Sequence, residues 1–181
     1  MKSFFREILI TLIMAAIITV GFRVSLQTFG IFMSSMEPNF HEGQRLLVNK
    51  AVYLFGDPKR GDVVIFHAPG DGNGDYIKRV IALPGDTVEI KNRAVYVNGT
   101  KLDEPYVKDP PNYTLAKMQI PENQYFVLGD NRNNSNDSHR GWLVLRADII
   151  GKAWLSTWPP GTWGLVPTYS LDEQLSTSMV K

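Results

Sequence analysis

Residues 76–83 read YIKRVIAL, an apolar run interrupted only by a lysine and an arginine. Its length, its bulky apolar residues and the turn-forming Pro84 and Gly85 that follow predict a β-strand. Successive side chains alternate between the two faces of a strand, so Lys78 shares its face with Tyr76 and Val80. Lys78 therefore either marks the edge of a sheet, where lysine discourages aggregation, or points into the protein.

A buried lysine at this position would be a candidate base. A free lysine has a pKa of about 10.4, so only about one amine in 10³ is neutral near pH 7. Burial lowers the pKa of a lysine by up to about 3–5 units, which leaves the amine largely neutral. Beside a serine hydroxyl, such an amine can accept the proton and activate the serine without any histidine.

Similar strand-like runs, separated by turn residues, lie on both sides of this segment. They cover residues 45–55, 62–67, 87–91, 94–97, 100–102, 125–128 and 149–155. Asn98 and Gly99 predict a tight hairpin between two of them. Residues 103–118 are polar and interrupted by proline, which predicts an excursion over the surface. With 15 Gly and 11 Pro in the chain, the pattern predicts a mainly β fold with frequent turns.

The N-terminus contains an uncharged apolar run, residues 8–22, between Arg6 and Arg23. The run is shorter than the roughly 20 residues that span a bilayer, but flanking phenylalanines and a snorkelling Arg6 could lengthen it. A cleavable signal peptide is the main alternative, although the run ends without an Ala-x-Ala site. We predict an uncleaved membrane anchor, with Lys2 and Arg6 holding the N-terminus in the cytoplasm.

The chain therefore divides into three predicted parts. Residues 1–23 form a cytoplasmic cap and a transmembrane anchor, and residues 24–160 form a β-rich domain. Residues 161–181 follow a Pro-Pro pair and show little periodicity, which predicts a loosely ordered tail.

Composition excludes several functions. There is no cysteine, so disulfides, thiol catalysis and Cys-ligated metals are excluded, and three scattered histidines without an H-E-x-x-H pattern give no metal site. A net charge of +1 gives no reason to expect a nucleic-acid partner. His139 lies beside Asp137 and Ser138, but adjacency in sequence does not build a Ser-His-Asp triad. We predict no metal and no cofactor.

Four segments, in order along the chain, resemble the motifs of type I signal peptidases, membrane-bound Ser-Lys endopeptidases that cut signal peptides from exported proteins. They are residues 35–38 (SMEP), 60–64 (RGDVV), 76–86 (YIKRVIALPGD) and 129–138 (GDNRNNSNDS). Each motif alone is modestly specific, but four in order behind an apolar N-terminus, covering nearly the whole chain after it, indicate this family strongly.

The resemblance implies an antiparallel β catalytic core that uses no metal. By position, Ser35 would be the nucleophile and Lys78 the general base, with Ser34 only a neighbour. The resemblance implies that Ser135 hydrogen-bonds the lysine amine and orients it. Asp137 would hold the 129–138 loop against the catalytic strand.

Asp130 and Arg132 would help to hold the same loop, or would form an ordinary ion pair that stabilises the turn. The residues implied to line the apolar substrate pockets are Ile31, Met36, Phe40, Tyr76 and Ile77, each of which is almost as well explained by core packing. The implied partners are the lipid bilayer, nearby export machinery, and preproteins with small residues at the first and third positions before the cut.

The sequence departs from the family pattern at several positions. Met33 stands where some members have a hydroxyl residue that completes the oxyanion hole, so the second oxyanion donor is not identified. Asn39 replaces a usual Thr, Asn133 a common Asp, and His139 a common Arg. If His139 contacts Asp137, the charge of the pair would depend on pH near neutrality. The alternatives are a processing peptidase of narrower specificity and a catalytically silent, membrane-tethered module that binds exported peptides.

Overall fold

The computed structural model describes residues 2–70 and 74–178, in which two helices and twelve strands form. The helices are α1 (Lys2–Ser25) and α2 (Leu171–Ser178). The strands are β1 (Leu26–Gly30), β2 (Arg45–Asn49), β3 (Val63–His67), β4 (Asp75–Ala82), β5 (Thr87–Lys91), β6 (Ala94–Val97), β7 (Thr100–Lys101), β8 (Leu115–Gln119), β9 (Gln124–Leu128), β10 (Val144–Leu145), β11 (Ile149–Trp158) and β12 (Gly164–Leu165).

The strands form two sheets in which every pairing is antiparallel. The larger sheet has the order β1-β2-β11-β3-β4-β9-β10, with β12 on β11, and the smaller sheet has the order β7-β6-β5-β8. A hydrophobic cluster that includes Ile81, Phe126, Val88 and Val97 joins β4 and β9 to the smaller sheet. The predicted fold class, mainly antiparallel β behind one apolar helix, is confirmed.

Strand β4, which contains the YIKRVIAL run, lies inside the larger sheet between β3 and β9. Val64 of β3 faces Lys78, and Leu128 of β9 faces Arg79. The interpretation of Lys78 as an edge-strand lysine is therefore wrong, because both neighbouring positions in the sheet are occupied and the side chain is only 1% exposed.

Helix α1 is longer than the uncharged run that predicted it. By length and composition Phe4–Ser25 is a candidate membrane span, and its apolar side chains are exposed rather than packed on the rest of the protein. The polypeptide enters β1 directly from the helix, and the Lys50 N–H at the end of β2 donates a hydrogen bond to the Ser25 carbonyl. The candidate span and the larger sheet are thus joined without a linker.

Two segments are more ordered than their sequences indicated. Residues 103–118 were expected to be a surface excursion, but the last part of that segment enters β8, which pairs with β5. The tail was expected to be loosely ordered, but it contains α2, whose Leu171 and Leu175 are buried in the cluster beneath the smaller sheet. Both elements are short and half exposed, and they are held by contacts with distant strands rather than by a local pattern.

Candidate active site

The loop between β1 and β2 presents Ser35 to β4. Its ends are joined by hydrogen bonds from the Ile31 N–H to the Gln44 carbonyl and from the Gly43 N–H to the Ile31 carbonyl. Met36 within a turn and Phe40 directly after it are buried in a core cluster with Val48 and Ile65. We call residues 34–39 the serine turn. Because two apolar anchors fix it, the position of Ser35 is set by the core beneath it.

The Ser35 hydroxyl and the Lys78 amine are in direct contact. Lys78 Nζ lies 2.8 Å from Ser35 Oγ and donates a second hydrogen bond, of 2.9 Å, to the Ile77 carbonyl. Burial lowers the pKa of Lys78 from 10.5 to about 8, because desolvation disfavours the ammonium form, while Asp137 and Asp130 raise the pKa in part. The geometry thus pairs a serine hydroxyl with an amine that deprotonates unusually easily.

The segment 129–138, which we call the late loop, lies directly against the serine turn. A Cβ at Gly129 would come within 2.5 Å of the Ser35 carbonyl oxygen and 2.3 Å of Ser135 Oγ, so only glycine permits this approach. The Asn131 N–H donates to the Ser35 carbonyl (3.0 Å), and Asn131 Nδ2 donates to the Ser34 carbonyl (3.1 Å). The late loop therefore fixes the backbone of both serines.

Ser135 reaches the same cavity but does not make the expected hydrogen bond to Lys78. Its Oγ is buried and has no hydrogen-bond partner among the described residues. The close approach of Ser135 to Gly129 puts its hydroxyl beside the serine turn. The lysine amine instead forms hydrogen bonds with Ser35 Oγ and the Ile77 carbonyl. The orienting role of Ser135 stays a prediction.

Asp137 binds the late loop to the end of β9. Its Oδ2 accepts the Gly129 N–H (2.9 Å), and its Oδ1 lies 2.6 Å from His139 Nδ1. The ring of Tyr113 stacks on the His139 imidazole, with 4.0 Å between ring centroids. Asp137 therefore does contact the histidine that replaces the common arginine.

Asp130 and Arg132 do not pair with each other, so the interpretation of these residues as a simple turn-stabilising ion pair is wrong. Asp130 accepts two hydrogen bonds from the Arg79 guanidinium, at 2.7 and 2.8 Å, and both side chains are fully buried. Arg132 pairs with both carboxylate oxygens of Glu104, at 2.7 and 2.8 Å. These two ion pairs connect the late loop to β4 and to the 103–118 segment.

Three residues in these contacts were not singled out as site residues from the sequence. Asn39 Nδ2 donates to Asp130 (2.9 Å) and to the Tyr106 carbonyl (2.7 Å), while Arg79 and Glu104 complete the buried ion pairs. Asn39 was noted only as a departure from the family pattern. Its position directly after the SMEP motif indicates that it lies near the site. The sequence does not show what it contacts, because its partners lie 67 and 91 residues away along the chain.

A cavity of about 550 Å³ opens over the Ser35–Lys78 pair, with Met33, Ser34, Tyr76 and Asn134 in its wall. Of the five residues implied to line the substrate pockets, only Tyr76 lies in this wall. Ile31, Met36, Phe40 and Ile77 instead belong to the buried core cluster. Their side chains are packed in the core here, and Phe40 also lines a second cavity, so the role of these four residues in binding substrate stays a prediction.

Comparisons with known proteins give a consistent result. The family model described as "Signal peptidase, peptidase S26" matches residues 1–158. A probable signal peptidase I-2 from Synechocystis sp. is 41% identical over 163 residues, covering 86% of this chain and 74% of the relative. A probable signal peptidase I-1 from the same organism is 43% identical over 143 residues, covering 75% and 73%.

Proteins from two other organisms are also similar to this chain. Signal peptidase IB from Staphylococcus aureus is 43% identical over 143 residues, covering 69% of this chain and 74% of the relative. A crystal structure of a signal peptidase I from Enterococcus faecalis V583 is 34% identical, covers 54% of this chain and 97% of that chain, and has a TM-score of 0.45.

Proposed function

Because the chain belongs to the signal peptidase family of serine peptidases, peptidase S26, we propose that it is a membrane-anchored endopeptidase that removes signal peptides from exported preproteins. Ser35 is the nucleophile and Lys78 the general base. The observation that carries this proposal is the 2.8 Å contact between the two side chains, made by an amine that is only 1% exposed.

The reaction begins with proton transfer from Ser35 to the neutral Lys78 amine. Ser35 Oγ forms a bond to the scissile carbonyl carbon, and the carbonyl electron pair moves to the oxygen, which accepts the Ser35 backbone N–H. The Lys78 ammonium then donates its proton to the departing amine as the peptide bond breaks. The regenerated amine takes a proton from water, whose oxygen bonds to the acyl carbon, and Lys78 then returns that proton to Ser35 Oγ as the ester bond breaks.

The late loop supports this pair in two ways. Asp137 holds the Gly129 N–H, and Gly129 lies against the Ser35 carbonyl, so the carboxylate positions the nucleophile through the backbone. The ion pair between Asp130 and Arg79 fixes the strand position next to Lys78. The Ser135 hydroxyl, which lines the same cavity as Lys78, would orient the lysine amine during the reaction.

We propose that the N-terminal helix anchors the protein and holds the site at a membrane surface. Phe4–Ser25 is a candidate span, and it continues directly into β1, which precedes the serine turn. With Lys2 and Arg6 on the cytoplasmic side, the β-rich catalytic domain lies on the opposite side. An exported chain presents the cleavage region of its signal peptide there, within reach of the cavity over Ser35.

The proposal is tested by digesting a preprotein with the full-length protein in detergent. Ser35→Ala and Lys78→Ala are each expected to lower cleavage by at least about 10⁴-fold, since each removes a member of a unit that acts together. Lys101→Ala, at an exposed β7 position, is the control for loss of a lysine and should keep activity close to wild type. Full activity of either alanine variant at the pair would contradict the dyad, and binding without cleavage by the wild type would favour a silent peptide-binding module.

A further inference from the structure

Acyl transfer by a serine develops negative charge on the carbonyl oxygen, and preorganised donors stabilise it. One donor is available in the serine turn. The Ser34 carbonyl is held by the Glu37 N–H and by Asn131 Nδ2, and the trans peptide directs the Ser35 N–H to the opposite side. Within the described part of the chain, no group accepts that N–H.

The position two residues before Ser35 offers no second donor. Met33 lines the cavity with a thioether side chain that is 52% exposed and cannot donate a hydrogen bond. A single backbone N–H would leave the oxyanion with one protein partner. A second donor would have to come from another group in the cavity wall.

Ser34 has a hydroxyl in the wall of the same cavity and a hydrogen atom left to donate. Asn134 Nδ2 donates to Ser34 Oγ at 3.0 Å, which occupies one acceptor position of the hydroxyl and fixes its oxygen. A serine hydroxyl has one O–H donor besides its acceptor positions. Among the described residues no acceptor takes this O–H.

We infer that the Ser34 hydroxyl is the second oxyanion donor of this enzyme, and that Asn134 is the positioning residue that holds it. This inference rests on the proposed function, because it assigns a role within that same reaction. The Ser34 O–H donates a hydrogen bond to the carbonyl oxygen as the Ser35 Oγ–carbon bond forms, and its proton is not transferred. Asn134 contributes an amide that donates to Ser34 Oγ, so the serine hydrogen stays directed away from the late loop.

Replacing the positioning amide with a carboxylate separates this role from a purely structural hydrogen bond. A carboxylate can only accept, so Asp at position 134 would capture the Ser34 hydrogen and withdraw it from the oxyanion. A structural contact between the two side chains would survive that replacement. Asn133→Asp adds the same charge one residue away, where Asn133 Oδ1 accepts the Asn112 N–H and does not contact Ser34.

The test measures kcat and KM for preprotein cleavage at the alkaline plateau of the pH profile. We expect Ser34→Ala to lower kcat by about 10²–10³-fold with KM within about 3-fold, as for loss of one oxyanion donor. Ser34→Thr, which keeps a hydroxyl, should retain kcat within about 10-fold. Asn134→Asp should lower kcat at least about 10-fold more than Asn133→Asp. The rise of kcat/KM with pH that reflects deprotonation of Lys78 should occur at the same pH in Ser34→Ala as in the wild type.

A second measurement uses a peptide aldehyde, whose adduct with Ser35 contains the oxyanion. Its affinity should fall in parallel with kcat in Ser34→Ala, while an uncleaved peptide should bind as in the wild type. A Ser34→Ala enzyme with kcat within 3-fold of wild type, or equal effects of the two aspartate variants, would overturn the inference. Cleavage that still requires Ser35 and Lys78 in those cases would leave the proposed function intact.

Discussion

Burial of Lys78 has a cost for the folded state, because the desolvation that lowers its pKa to about 8 also disfavours its charged form at neutral pH. The native state holds this proton less tightly than the unfolded state, in which the pKa is near 10.5. Between these two values the unfolded chain binds more protons, so the free energy of unfolding should rise with pH. Below about pH 8 Lys78 is protonated in both states, so burial of its charge lowers the free energy of unfolding by the full amount.

Lys78→Met should therefore stabilise the protein while abolishing activity. A methionine of similar length removes the buried charge, and we expect the free energy of unfolding at pH 7 to rise by about 1–3 kcal/mol. The rise in stability between about pH 8 and 10.5 should disappear in this variant. Denaturant unfolding of the full chain in detergent at several pH values measures both effects.

Lys101→Met is the matched control, since Lys101 is exposed on β7 and its loss should leave the pH dependence of stability unchanged. A Lys78→Met variant that unfolds at lower denaturant than wild type at pH 7 would show that the amine is stabilising. That result would contradict the idea that burial destabilises the ammonium form.

The charge of Asp137 gives a second prediction at the residue scale. We expect kcat/KM to rise with pH to a plateau above about pH 8, because the free enzyme needs Lys78 neutral. Asp137 raises the pKa of Lys78, so Asp137→Asn should move this limb to lower pH. Asp109→Asn, at an exposed position, should leave the limb in place. A shift to higher pH in Asp137→Asn would contradict the electrostatic argument.

At the scale of single residues, the sequence could indicate which side chains matter but not what they contact. The SMEP and YIKRVIALPGD motifs pointed to Ser35 and Lys78, which the structure brings to 2.8 Å. Arg79 and Asp130 are 51 positions apart, and no local pattern shows that they pair. For the same reason, the sequence does not separate substrate-groove residues from core residues, since apolar side chains in both places have the same pattern.

The end of β9 and the late loop act as one structural element, because Gly129 joins them at the point of closest approach to the serine turn. We predict that Gly129→Ala will abolish activity. Its Cβ would lie 2.5 Å from the Ser35 carbonyl oxygen and 2.3 Å from Ser135 Oγ, so the turn and the loop must separate. Cleavage assays on the folded variant, with circular dichroism to confirm folding, measure this effect.

Gly161→Ala is the matched control, because a Cβ there meets nothing within 4 Å and the backbone is not in the left-handed region. It should keep activity and stability close to wild type. A Gly129→Ala enzyme with full activity would mean that the late loop can move away from Ser35 without consequence. The backbone contacts from Asn131 to both serines would then have no role in catalysis.

Strands with strong apolar runs were predictable, and weaker elements were not. Strands β3, β5, β6 and β9 followed from bounded apolar or alternating segments. Strands β10 and β12 are only two residues long, and β8 contains exposed residues such as Lys117. These short strands are held in place by their partners, since their own sequences lack the length and the alternation that identify a strand.

At the scale of the whole molecule, the C-terminal segment connects the smaller sheet to the catalytic motifs. Arg60 pairs with Asp86 at the turn after β4 and also contacts Asp172 of α2. The Tyr169 ring lies 5.1 Å from the Arg79 guanidinium, whose partner Asp130 belongs to the late loop. Contacts of the C-terminal segment therefore reach the Arg79–Asp130 pair beside the Ser35 site, although the segment showed no regular pattern in the sequence.

This linkage predicts that a core truncation in α2 will lower both stability and activity. Leu171 is fully buried among residues of β5, β6 and β9, so Leu171→Ala should lower the free energy of unfolding by about 2–4 kcal/mol. Leu165→Ala is the matched control, because Leu165 is 70% exposed and its truncation should change stability by less than about 0.5 kcal/mol. Denaturant unfolding in detergent and preprotein cleavage on the same samples measure the two effects. Equal stability of the two variants would contradict the contribution of α2 to the core, and unchanged cleavage by Leu171→Ala would contradict its link to the Ser35 site.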